Sequence, residues 1–200
     1  MARTRFRKKH LVSSLLTLAV AIILLFIEQP SWFQNVWQQA QTSQPGMYTV
    51  DHYIDGDTIA VRMNGVVESV RFIGIDTPET HKPNTPVQCC GPAAAAHTKN
   101  VISAAGGQVR LAADPLSTNR DRYNRLLRYV YLPDGTLVNE LNIREGYAFY
   151  YPYFPFTKSA EFAAAQKQAQ VQARGLWAAC TPTPSDDGGY KMDEPASQQT

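Results

Sequence analysis

Two short segments of this 200-residue chain concentrate side chains that can do chemistry together. Asp55-Gly56-Asp57-Thr58 is one; the other runs from Arg71 through Phe72-Ile73-Gly74-Ile75 to Asp76-Thr77-Pro78-Glu79. The carboxylates of Asp57, Asp76 and Glu79 stand with Arg71 at the ends of strand-like runs. Carboxylates that converge repel one another unless a cation neutralises them, and hard oxygen ligands suit Ca²⁺ or Mg²⁺. An arginine beside such a cluster makes a phosphate the natural second guest. Asp55 reads as a turn residue ahead of Gly56, not as a ligand.

The elements around these segments read as a small β-rich domain. Alternating polarity predicts a strand over 48–54, and two more strands are expected over 58–63 and 66–75, joined by an Asn64-Gly65 hairpin turn. Further strands are expected over 108–113 and 126–132. Helices are expected over 93–105, opened by Gly91-Pro92, over 136–145, and over 159–173. Leu176-Trp177 follows the Gly175 stop and is expected to plug back into the core. Five strands with inserted helices point to an α+β, mainly β, fold: a five-stranded OB-type barrel with three helices. Arg71 and Asp76 have opposite parity, so both reach one site only if the strand between them twists or bulges.

The net charge of +2 is unevenly spread. Residues 1–10 hold five basic side chains and no acid, residues 181–200 carry −3, and 28–180 balance 13 basic against 13 acidic residues. A neutral domain argues against sequence-independent coating of nucleic acid, which needs a basic surplus. Phosphate binding must instead be focal.

The basic start precedes Leu11–Ile27, seventeen residues without a charge, and Trp32, Phe33 and Trp37 follow as an interfacial belt. The pattern predicts a hydrophobic helix acting as a signal-anchor or signal peptide over 1–27, then a linker over 28–46. The domain would be membrane-anchored facing outward, or secreted. Residues 181–200 are rich in Pro, Ser, Asp and Gln and read as a disordered tail. Cys89, Cys90 and Cys180 are an odd number; Cys180 bridged to either neighbour is preferred over a strained adjacent pair, with three thiols as the other reading.

The motifs together carry a family likeness. DGDT at 55–58, RFIGIDTPET at 71–80, GP at 91–92, DRYNRLLRYVY at 121–131, DGTLVNE at 134–140, REGYA at 144–148 and GLW at 175–177 occur in family order. Over about residues 47–178 the chain resembles staphylococcal (micrococcal) nuclease, the thermonuclease family. The resemblance implies that Asp57, Asp76 and the carbonyl of Thr77 bind Ca²⁺, that Glu79 is the catalytic glutamate, and that Arg71 and Arg125 are catalytic, phosphate-binding arginines. It also implies cleavage of DNA and RNA at the 5′-oxygen–phosphorus bond to leave 3′-phosphates, by a monomer.

Asn124 stands where the family commonly has Gly, and Asn tolerates the left-handed backbone such a turn needs. Pro152 interrupts the aromatic run 147–156, so base stacking is open among Tyr151, Tyr153 and Tyr123, with Arg122 beside them on the substrate. Arg120, Arg128 and, in its other reading, Arg122 are solvated or backbone-contacting charges, His81 is a surface histidine, and Tyr131, Phe149 and Trp177 are packing. The competing function is a non-catalytic OB module that binds nucleic acid or protein from a membrane tether. The joint presence of Arg71, Glu79, Arg125, Asp57 and Asp76 speaks against it.

Overall fold

The computed structural model describes residues 43–80, 86–186 and 188–192. The apolar segment 11–27, most of the expected linker, His81 and residues 193–200 lie outside the described residues.

Five strands close into a barrel. β1 (Ser43–Tyr53), β2 (Thr58–Met63) and β3 (Val66–Phe72) form an antiparallel meander. β3 then pairs in parallel with β6 (Leu126–Tyr131). β6 runs antiparallel to β5 (Gln108–Ala112), and β5 closes the barrel antiparallel to β1. β1 can serve two neighbours because it is long and its register shifts in both pairings; such bulges bend a strand and let a sheet close. Its start at Ser43 places residues 43–46 in the barrel and not in the expected linker.

The interior is filled by branched and aromatic side chains, with Ile59, Val61, Val70, Phe72, Val109, Leu111 and Val130 essentially inaccessible. Helix α1 (Gly91–Ala104) contributes Ile102 to this core, α2 (Val138–Arg144) contributes Val138 and Ile143, and α3 (Ser159–Val171) contributes Phe162 and Ala165. These helices lie where expected, ending one or two residues short of the expected bounds.

Three departures bear on the site. The expected strand 66–75 is broken: β3 stops at Phe72, and a separate pair, β4 (Ile75–Asp76) with β7 (Phe149–Tyr150), leaves the barrel. Gly74 makes the break, with a φ of 74° that a side chain rarely adopts. It also has no room for a Cβ, which would stand 2.5 Å from the Phe156 ring. After the short α4 (Leu176–Ala179), the tail expected to be disordered folds back over part of its length: β8 (Pro182–Pro184) pairs with β9 (Tyr190–Met192). Tyr190 stacks on Phe149 and meets Trp177 edge-on, and Met192 is buried beside Phe149 and Leu176. Apolar residues too sparse to announce a core found a ready-made patch. Among the described residues no helix is long and apolar enough to cross a membrane.

Candidate active site

The turn between β1 and β2 aims Asp57. Ile54 and Asp55 donate their N–H groups to the Thr58 carbonyl, and the Asp55 Oδ1 accepts the Asp57 N–H at 3.0 Å. Gly56 is needed here for space, because a Cβ would meet the Thr77 side chain at 2.8 Å. The Asp57 side chain is 6% exposed and fully engaged. Its Oδ1 accepts from the Thr58 hydroxyl at 2.9 Å, and its Oδ2 accepts from the Thr77 N–H at 2.9 Å and from Arg71 at 2.7 Å.

Arg71 resolves the parity problem. It leaves β3, while the Gly74 break turns the chain so that Asp76 comes back over it. One terminal nitrogen reaches Asp57 and the Ile75 carbonyl at 2.9 Å, and the other reaches Asp76 Oδ1 at 2.8 Å. Burial works against the Arg71 charge, but the neighbouring carboxylates outweigh it and hold the guanidinium charged.

Among the described residues, the ion pairs of Asp57 and Asp76 both go to Arg71. Burial pushes the Asp55 carboxyl up to about 7, aided by repulsion from Asp57. Asp76 is pushed up to about 6, by burial first, with Arg71 opposing and Asp57 and Glu79 adding to the rise. Asp55 therefore does more than shape a turn: its carboxyl lies close enough to Asp57 for the two to repel. Asp76 keeps 45% of its side chain exposed, so the cluster faces solvent on one side. Buried Asp57, half-buried Asp55, half-exposed Asp76, a nearby Thr77 backbone and an open face form a hard-oxygen donor set that fits a divalent cation. Glu79 lies close enough for its charge to act on Asp76. Its backbone is gripped by Gln88, whose Oε1 accepts the Glu79 N–H at 2.7 Å and whose own N–H donates to the Glu79 carbonyl at 2.9 Å.

Arg125 lies on the loop before β6. Asp121 organises that loop: its Oδ1 accepts from the N–H groups of Tyr123 and Arg125, and its Oδ2 accepts from Arg125 Nε at 2.7 Å. Asn124 takes the left-handed conformation, with φ 64°. A terminal nitrogen of Arg125 stands 3.5 Å from Thr58 Oγ1, the hydroxyl that donates to Asp57. Arg120 latches the loop to β3 through two contacts with Glu68, at 2.9 and 3.1 Å. Arg128 is backbone-contacting, one of its two expected readings, and fully buried: it donates to the Asn119 and Leu127 carbonyls and to Asn119 Oδ1, and burial lowers it to about 10.

A groove of about 740 Å³ runs between this loop and residues 151–156. Arg71, Arg122, Tyr123, Arg125 and Tyr151 line it, together with the exposed Leu116 and Phe154. Arg122 packs over the Tyr123 ring at 4.8 Å. Tyr151 is fixed by its N–H to the Gly74 carbonyl, and burial and the Asp76 charge raise its phenol. Tyr153 is not a wall of the groove: it meets Tyr151 edge-on at 4.5 Å and packs against Gly189. Of the expected substrate contacts, Arg122, Tyr123 and Tyr151 converge, and Tyr153 supports them from behind.

Two buried asparagines complete the scaffold. Asn139 accepts the Val130 N–H and donates to the Ile73 carbonyl, both at 2.9 Å, pinning α2 beneath the Gly74 break. Asn142 donates to Thr98 Oγ1 at 2.8 Å, and Thr98 donates to the Gly56 carbonyl at 2.7 Å. Sequence reasoning missed Asp55, Gln88, Asp121, Asn139 and Asn142 as contributors. Asn139 and Asn142 carry one signal, since a polar side chain in an otherwise apolar helix stripe needs a buried partner.

Residues 69–179 match the staphylococcal nuclease homologue family. The chain is 38% identical over 175 residues to the thermonuclease of Staphylococcus hyicus, covering 84% of this chain and 98% of that one. Identity to the Staphylococcus intermedius thermonuclease is 38% over 173 residues, with the same coverage. The chain belongs to the staphylococcal nuclease family. Its fold and its enzyme class follow: it is an OB-type barrel and a nuclease hydrolase. It is also 40% identical over 131 residues to endonuclease YncB of Bacillus subtilis (strain 168), 64% of this chain and 60% of that one.

Proposed function

We propose that this nuclease is a calcium-dependent, sugar-nonspecific endonuclease that hydrolyses DNA and RNA at the 5′-oxygen–phosphorus bond and leaves 3′-phosphates. The observation that carries the reading is the single guanidinium of Arg71 joined to both Asp57 and Asp76 beside the Asp55 carboxyl. Asp57, Asp76 and the Thr77 carbonyl would hold the ion. Such an ion would supply Lewis-acid stabilisation of the charge that builds on the phosphate.

The chain's own residues do the rest. Tyr151 and Tyr123 offer ring faces to bases on either side of the groove, and base–aromatic stacking is sequence-tolerant. Arg71 and Arg125, which line the same groove, donate to the non-bridging oxygens where charge builds during attack. Glu79 accepts the proton from the attacking water, a role worth about 10²–10⁴-fold. The phosphorus–O5′ bond breaks, and Arg125 stabilises the departing oxygen until it takes up a proton.

Digestion of plasmid and of RNA with calcium or with chelator, beside Glu79→Gln, tests the reading. Expected are calcium-dependent cleavage of both, 3′-phosphate ends, and a loss of at least 10²-fold in the variant. Full cleavage in chelator, or 5′-phosphate ends, would overturn it.

We also propose that residues 1–27 export the domain, as an anchor or as a cleaved signal, supported by the basic flank and the uncharged run of seventeen residues. Fractionation of cells expressing the full chain tests this; activity confined to the cytosolic fraction would contradict it.

A further inference from the structure

Cys89 and Cys90 end the segment that precedes α1, and Cys180 follows α4, about ninety residues later. The three sulfurs lie within 4.8 Å of one another, those of Cys89 and Cys90 3.8 Å apart. The Cα separations from Cys180 are 6.0 and 6.9 Å, both inside the roughly 7 Å beyond which bridging requires backbone movement. A disulfide sulfur takes one partner. Oxidised, the cluster therefore holds one bond and one thiol, and the backbone permits either arrangement.

The cluster adjoins the site through one residue. Gln88, next to Cys89, grips the Glu79 backbone from both sides and accepts the Gly91 N–H at 3.0 Å. On the far side, Cys180 ends a helix whose Trp177 packs edge-on against Phe149. Phe149 is in turn the strand partner of Asp76. The sulfur bond thus closes a ring of contacts running from Asp76 through Phe149, Trp177, Cys180 and Gln88 to Glu79.

We propose that Cys89, Cys90 and Cys180 form a thiol–disulfide exchange site whose bonded state holds Glu79 in position through Gln88. This rests on the reading of Glu79 as the proton acceptor. In the exchange, the thiolate of Cys90 attacks Cys180 Sγ. The Cys90–Cys180 bond forms, the Cys89–Cys180 bond breaks, and Cys89 leaves as the thiolate and takes up the proton Cys90 lost; nothing is oxidised overall. A dithiol reductant opens the site: it gives two electrons and two protons to the bond, becomes a cyclic disulfide, and leaves three protein thiols. Cys89 is exposed, so a reductant has access. Gln88 is a positioning residue in this scheme; only Glu79 handles the proton.

The first test is a thiol count on the denatured, unreduced full-length chain. Expected are one thiol in the wild type, none in Cys89→Ser, none in Cys90→Ser and three in the reduced wild type. Two thiols in either single variant would show one fixed partner and overturn the exchange. The second test is steady-state cleavage with calcium, before and after a dithiol. Reduction is expected to lower kcat at least tenfold with KM within twofold, Cys180→Ser to match the reduced wild type and ignore the dithiol, and Gln88→Ala to lose kcat even when oxidised. An unchanged kcat on reduction would overturn the coupling. No cleavage by the oxidised wild type would overturn the nuclease mechanism instead, and the thiol counts would still decide the sulfur site.

Discussion

The Thr77 N–H donates to Asp57 Oδ2 at 2.9 Å, joining residues twenty positions apart. That bond docks the end of β4 on the start of β2 and brings the Asp76 segment within reach of Arg71. The barrel supplies rigid strands, and the broken strand at Gly74 supplies the direction. The two acidic motifs become one site because a turn, a glycine and a backbone hydrogen bond agree.

Arg71→Lys keeps the charge but not the fork that spans Asp57 and Asp76. Cleavage should fall about 10²-fold or more, and the metal-free melting temperature should fall with it. Wild-type kinetics in the lysine variant would refute a bidentate role.

The metal-free protein should be less stable at neutral pH than in mild acid. Asp55 and Asp76 have folded-state carboxyls raised to about 7 and about 6. Their stabilising contribution is complete below the unfolded carboxylate range and is lost as pH rises through those values. Asp114 and Asp121 are lowered, because their hydrogen bonds outweigh burial, and act oppositely as pH falls toward the ordinary carboxylate range. Melting measured in chelator between about pH 5 and 8 should therefore decline, and calcium should remove most of the decline. Asp55→Asn keeps the acceptor for the Asp57 N–H and should flatten the chelator curve. A chelator curve that rises with pH contradicts the repulsion among these carboxylates.

Asp121→Ala releases Arg125 and two loop N–H groups without touching substrate. A misplaced catalytic group costs up to about 10²-fold, so kcat should drop about 10–100-fold in a chain that stays folded by circular dichroism. Retention of full kcat would mean that Arg125 needs no anchor.

Asn139→Ala leaves the Val130 N–H and the Ile73 carbonyl buried without their partner. Two stranded groups cost about 2–5 kcal/mol together, readable as a lower denaturant midpoint at unchanged slope. A loss below about 1 kcal/mol would show that water replaces the side chain.

Truncation after Cys180 uncovers Phe149, Leu176 and Trp177 by removing Tyr190 and the buried Met192. A loss of about 2–4 kcal/mol is expected from the buried area. Unchanged stability would mean that β8 and β9 merely rest on the surface.

Much of this molecule was legible in its residues. Alternating polarity marked the first strand, Asn64-Gly65 a hairpin, and Gly91-Pro92 and Gly175 the helix limits, because these signals are local. Asp57, Arg71 and Asp76 stood out by type and spacing at strand ends, whereas Arg125 was pointed to only by the family motif around it. Their assembly was not. Parity along one strand puts Arg71 and Asp76 on opposite faces, and only the break at Gly74, packed on Phe156 from eighty residues away, reverses that. Asp55, Asp121 and Gln88 look like ordinary turn or surface residues until the partner they bond is brought beside them. The sparse apolar residues of 181–192 carry no periodicity, so their docking depends on the patch that Phe149 and Trp177 expose. Local sequence determines which elements form, because their energies come from near neighbours. Tertiary structure alone decides which charges share a low-dielectric space, because burial and mutual repulsion depend on distances that chain order does not encode.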